Sequence, residues 1–138
     1  MDREELKSVL PHREPMLLLD FAERKGQTAK AIYTVRGDEF FLKGHFPGNP
    51  VVPGVILCEM LAQACCVLIA DKAENVLPVF TSLNNVKFKS QVRPGDTLDI
   101  SCEIIKQKNM FYFAKGEGRV NGKIAVVAEF SFALIPKP

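Results

Sequence analysis

The sequence predicts an α+β fold in which a curved antiparallel sheet wraps one long central helix. Three observations carry that expectation. Residues 55–70 form a run that is apolar on nearly every face, and a helix of that kind has to be buried. Residues 79–134 are a succession of segments rich in β-branched and aromatic residues. Asn121-Gly122 falls between two of those segments, a strong short-range hairpin signal.

Taken in order, residues 2–9 read as a short amphipathic helix ended by Pro11. Leu17-Leu18-Leu19-Asp20 opens a first strand. A turn at Lys25-Gly26-Gln27 leads into a second strand over residues 29–35. Between Gly44 and Gly54 lie Pro47, Pro50 and Pro53 with a further glycine, Gly48, a composition that forbids regular structure and fixes an irregular loop. Pro53 suits the start of the following helix, where its missing N–H costs nothing. Sixteen residues of helix span about 24 Å, short of a bilayer core of about 30 Å. Glu59 and Gln63 also interrupt the run, so the expected surroundings are protein and not membrane. Strands follow at 79–83, 86–92, 97–106, 110–120 and 124–134, with Pro94-Gly95-Asp96 as a second turn, and they read as a meander. No repeat, linker or low-complexity segment divides residues 1–138, so one domain is expected.

A net charge of +2 is too small to argue for nucleic acid, and no DNA-reading motif is present. The chain opens Met1-Asp2-Arg3-Glu4-Glu5 with no apolar run behind it, which points to the cytoplasm and reduced thiols. Cys58 and Cys65 are about 10 Å apart on a helix, too far for a disulfide. Cys65 and Cys66 are adjacent, and with Cys102 no metal-binding spacing appears. The four cysteines therefore read as buried apolar fillers.

Four residues stand out chemically. Glu59 is a carboxyl on a buried helix; burial disfavours the ionised form, and a protonated carboxyl can donate its proton. Gln63 lies one turn later on the same face, able to orient it. The plainer alternative is a structural polar pair that fixes helix register. His45 sits in the proline-pinned loop, and an imidazole titrating near pH 6.5 is a competent base. The alternative is a loop histidine bonded to a carbonyl. Gly54, with Val55 beside it, occupies the helix start, where free N–H groups and the helix dipole can polarise a carbonyl; alternatively it only eases the turn. Together they suit removal of water from a 3-hydroxyacyl thioester: a base for the C2 proton, an acid for the hydroxyl, and donors on the thioester carbonyl. That chemistry calls for no metal and no cofactor.

The stretches Leu10-Pro11-His12-Arg13-Glu14-Pro15-Met16-Leu17-Leu18-Leu19-Asp20, Gly44-His45-Phe46-Pro47-Gly48-Asn49-Pro50, Pro53-Gly54-Val55 and Glu59-Met60-Leu61-Ala62-Gln63 resemble the bacterial (3R)-hydroxyacyl-acyl-carrier-protein dehydratases of the FabZ type. Val86-Lys87-Phe88-Lys89 and Pro94-Gly95-Asp96 fit the same pattern, so the resemblance covers essentially the whole chain. It implies the hot-dog fold and formation of a trans-2-enoyl product during fatty acid biosynthesis. It also implies a homodimer with two sites at its interface, often three dimers in a hexamer. On this resemblance His45 is the catalytic histidine, and Glu59 is the catalytic glutamate contributed by the partner protomer. The Gly54 amide binds the thioester carbonyl, Gln63 supports the glutamate, and Val79, Phe80 and Phe88 are candidates for the acyl tunnel. A related branch that also isomerises the enoyl product carries aspartate at the acid position, whereas Glu59 points to the plain dehydratase. Met60, Cys65 and Cys66 stand where small residues are common, which bears on tunnel shape.

His12 and Arg13 read as structural. Residues 86–123 carry eight positive charges against four negative, a basic rim suited to acidic acyl carrier protein or merely a lysine-protected strand edge. The rival functions are a thioesterase or acyl-CoA hydratase on the same fold, and a non-enzymatic lipid-binding or assembly module.

Overall fold

Asp2 opens the first helix, α1 (Arg3–Leu6), with a reciprocal cap: its carboxylate accepts the Glu5 N–H, and the Glu5 carboxylate accepts the Asp2 N–H. The computed structural model describes residues 1–72 and 74–138. The helix is shorter than residues 2–9 predict. Ser8 Oγ donates to the Glu5 carbonyl at 2.7 Å, and the backbone tightens into i→i−3 bonds at Lys7, Ser8 and Val9.

The first strand, β1 (Phe21–Lys25), also starts later than expected. Leu17, Leu18 and Leu19 are buried but not in a strand, because side chains claim their backbone groups. Arg3 donates to the Leu17 and Leu19 carbonyls, and Gln63 accepts the Leu18 N–H. A tight turn through Gly26 leads to β2 (Thr28–Thr34).

The central helix, α2, runs from Gly54 to Cys65 and continues as a 3₁₀ segment, Cys66–Lys72, with a break at Ile69. The α-helical part is shorter than residues 55–70 suggested. β-branched Val67 and Ile69 crowd the preceding turn and weaken the helix there. Leu57, Met60, Leu61, Ala64 and Cys65 of α2 are at most 2% exposed. Burial of about 1.5–3 kcal/mol per large side chain, not helix propensity, holds the element in place. Gly54–Lys72 is long and apolar enough to cross a membrane by length and composition, yet 67% of it is buried inside the fold.

Four long strands complete the sheet: β3 (Val76–Phe88), β4 (Thr97–Lys108), β5 (Phe111–Val120) and β6 (Lys123–Pro136). The six strands are antiparallel in the order β1-β2-β4-β5-β6-β3. Asn121 and Gly122 both take positive φ between β5 and β6, as an Asn-Gly hairpin requires. Two expectations need correction. The segments predicted at 79–83 and 86–92 are one strand ending at Phe88, bent by register shifts at Phe80/Ser82 and Asn84/Lys87 where Asn85 takes positive φ. The meander is confined to β4-β5-β6, because β3 pairs with β6 at the far edge and not with β4. The inner face of the sheet packs α2 against β2, β4, β5 and β6, with Leu98, Ile100, Phe130 and Phe132 in the shared core. All four cysteines are free and buried.

Candidate active site

Glu59 and Gln63 sit one turn apart on α2, and the chain around them explains their orientation. Gln63 is 1% exposed. Its Oε1 accepts the Leu18 N–H at 2.9 Å, and its Nε2 donates to the Met16 carbonyl at 2.8 Å and to Glu59 Oε2 at 2.9 Å. Because an amide nitrogen only donates, the Glu59 oxygen facing it is an acceptor. The segment that supplies Met16 and Leu18 is held in turn by Arg3, which reaches Leu17, Leu19, Asp20 and Glu14.

The Glu59 carboxylate is not sealed in the interior. Its side chain keeps 21% exposure and borders a cavity of about 50 Å³. His12, Ala62, Gln63, Cys66, Pro78, Val79, Phe80 and Phe132 complete the walls. His12 Nε2 lies 3.2 Å from Glu59 Oε2, the same oxygen that Gln63 meets. Burial drives the Cys66 thiol strongly up, with Cys65 and then Glu59 adding to the effect, so Cys66 is a neutral wall.

His45 lies in the loop between β2 and α2. That loop is tied by the Val51 N–H to the His45 carbonyl at 2.9 Å, by reciprocal bonds between Phe46 and Asn49, and by the Val52 N–H to the Val92 carbonyl at 2.8 Å. Arg93 adds a bond to the Asn49 side chain. The His45 ring stacks on Phe46 at 4.2 Å, and its Nδ1 lies 3.0 Å from the Val51 carbonyl. A carbonyl can only accept, so Nδ1 carries the proton and Nε2 of the neutral ring presents a lone pair. His45 does not line the Glu59 cavity. Within one chain the two groups do not share that cavity.

Pro53 offers no side-chain cap to α2, and the Gly54 and Val55 N–H groups have no acceptor among the described residues. Over Gly54 lies the Phe88 ring, so close that a Cβ there would meet it at 2.6 Å. Glycine is needed for that approach. Val55 is 71% exposed.

Comparison with known proteins now bears on this geometry. A family model described as ApeI dehydratase matches residues 21–125. The 3-hydroxyacyl-acyl-carrier-protein dehydratase FabZ of Pseudothermotoga lettingae is 41% identical over 93% of this chain and 92% of its own. The chain belongs to the FabZ family. The FabZ of Clostridium perfringens is 42% identical over 97% of this chain and 99% of its own. Among solved structures, the dehydratase heterocomplex ApeI:P from Xenorhabdus doucetiae superposes with a TM-score of 0.80 at 24% identity, covering 96% of this chain and 90% of that one. That likeness establishes the hot-dog fold expected from the sequence.

Among the expected FabZ-type residues, Glu59, Gln63, Val79 and Phe80 come together around one cavity, Gly54 and Phe88 form a second group, and His45 stands apart. His12, read as structural, and Cys66, read as bearing on tunnel shape, both line this cavity, and so does Phe132, which the sequence did not single out. The Leu10–Asp20 motif marked His12, but an imidazole in a loop beside Pro11 carries no periodic signal that links it to a helix carboxylate.

Proposed function

We propose that this chain, as one hot-dog domain over residues 1–138, dehydrates (3R)-3-hydroxyacyl-acyl-carrier-protein to the trans-2-enoyl thioester. His45 Nε2 takes the C2 proton. The C2 electron pair forms the C2–C3 double bond as the C3–O bond breaks, and Glu59 gives its proton to the departing hydroxyl, which leaves as water. The Gly54 amide, with Val55 beside it, polarises the thioester carbonyl, and Gln63 orients Glu59. The observation that carries this reading is the polar arrangement on α2: a carboxyl held by a buried glutamine at the border of a cavity, on a helix whose start has unsatisfied N–H groups.

The working unit is a homodimer in which His45 of one protomer meets Glu59 of its partner, with three dimers assembling as a hexamer. Strand β3 supports the dimer. It is a 13-residue sheet edge that leaves Val79, Phe80, Leu83 and Phe88 exposed, and an uncovered apolar edge calls for a partner. A cavity of about 50 Å³ has room for little more than one water-sized group, so a second chain is needed to complete a space for acyl carbons. Val79, Phe80 and Phe88 would line that tunnel. Exposed Lys87 and Lys89, flanking Phe88, suit an acidic carrier protein. The cytoplasm is the matching compartment.

The test is to offer purified protein both 3-hydroxyacyl and saturated thioesters on the carrier protein and to read the products by mass spectrometry and chromatography. The expected product is the trans-2-enoyl thioester. Glu59→Gln and His45→Ala should fold yet lose about 10²–10⁴ in rate. Hydrolysis alone, or full activity in either variant, overturns the assignment.

A further inference from the structure

We propose that His12 is a positioning residue for Glu59. Its Nε2–H lies against Oε2, the oxygen to which the Gln63 amide donates, so that the proton delivered to the leaving hydroxyl rides on Oε1. The inference rests on the reading of Glu59 as the general acid.

Three observations carry it. Glu59 Oε2 has two nitrogen neighbours, Gln63 Nε2 at 2.9 Å and His12 Nε2 at 3.2 Å. His12 Nδ1 is buried and has no hydrogen-bond partner among the described residues. A buried N–H without an acceptor is among the rarest defects in proteins, rarer than an unused acceptor. The proton of the neutral ring therefore belongs on Nε2, facing Glu59. Finally, the imidazole is aimed by its own backbone. The Arg13 guanidinium donates to the carbonyls of Lys7, Leu10 and His12, fixing the loop that presents the ring.

The consequence is chemical. With the Gln63 N–H bonded to Oε2 and the His12 Nε2–H 3.2 Å away, a hydrogen on that oxygen would point at N–H groups, so the acid proton is left to Oε1. When that proton departs, the new negative charge finds the Gln63 donor and the His12 N–H dipole already in place. The remaining cavity wall strengthens this. Among the described residues Cys66 is its one other titratable group, and Val79, Phe80 and Phe132 supply an apolar surface.

His12→Phe and His12→Gln test the idea in the assembled enzyme, with dehydration of a 3-hydroxyacyl-carrier-protein as the assay. His12→Phe should lower kcat about 10–100-fold, with KM within about threefold of wild type. His12→Gln, which keeps an N–H near the Nε2 position, should recover most of the loss. In a Glu59→Gln background His12→Phe should have no further effect, because the imidazole acts only through the carboxyl. ¹⁵N NMR of the wild-type protein supplies a readout independent of any variant, since only two histidines need assignment. It should show His12 protonated at Nε2 and bare at Nδ1. Unchanged kcat in His12→Phe, an equal loss in both backgrounds, or a proton on Nδ1 overturns the proposal. Full activity in Glu59→Gln would instead remove the acid itself. An inactive Glu59→Gln beside an unimpaired His12→Phe rejects the role of His12 alone.

Discussion

Replacing Gln63 by leucine keeps the side-chain volume close to that of glutamine and removes every polar contact it makes. The Leu18 N–H and the Met16 carbonyl lose their partner, and Glu59 loses a donor. A backbone group left unpaired costs about 1–3 kcal/mol when buried, so the buried Leu18 N–H and the half-buried Met16 carbonyl together cost at most about 2–6. Burying an apolar side chain in place of an amide returns about 1–2 kcal/mol. The net loss is thus about 3 kcal/mol, a large share of the 5–15 typical of a domain. With about 2.1 cal/mol/K of unfolding entropy per residue, this chain length makes that a fall of roughly 10 °C in Tm. The assay is thermal unfolding of both proteins at one fixed protomer concentration, because assembly makes Tm depend on concentration. Activity measured below the lower transition should fall as well, since Glu59 is no longer oriented. A Tm within about 2 °C of wild type would show that Gln63 does not anchor the 16–18 segment, and the account of how Glu59 is held would fail with it.

Other perturbations reach other parts of the structure. Gly54→Ala places a methyl 2.6 Å from the Phe88 ring; the exposed ring can swing away, so Tm should change little, while kcat/KM drops about 10²-fold as the helix N–H groups become covered. Leu83→Lys on the exposed edge of β3 should give a folded monomer without activity, read by light scattering and circular dichroism; a persistent dimer would place the interface elsewhere. Burial pushes the Cys58 and Cys66 thiols up, and the Cys65 thiol is raised by its bond with Cys102 and by burial. All four thiols should therefore resist Ellman's reagent in native protein at neutral pH and react together on unfolding; a single fast thiol would contradict the packing of α2.

Much of this was legible in the sequence because it is local. The apolar run from Val55, the Asn121-Gly122 turn, and the one-turn spacing of Glu59 and Gln63 each express a short-range rule. The misses share one cause, a long-range contact that overrides local pattern. Leu17–Leu19 looks like a strand, but Arg3 and Gln63 occupy its backbone groups. The outer position of β3 depends on pairing with β6, some fifty residues later in the chain (Phe80↔Phe132, Leu83↔Phe130), which no hydrophobic period encodes. His12 reaches Glu59 only because the fold closes the N-terminal segment over α2. On the proposed reading, the separation of His45 from Glu59 within one protomer has a different origin, since a site shared between two copies is not contained in one chain.

Subunit complementation tests the central claim most directly. His45→Ala and Glu59→Gln chains, each inactive alone, are mixed, dissociated and reassembled, and dehydration is assayed. A shared site predicts recovery toward about a quarter of wild-type activity, because half the dimers are mixed and each mixed dimer holds one intact pair. Mixtures that stay inactive, although exchange of subunits is verified by mass spectrometry, would contradict it.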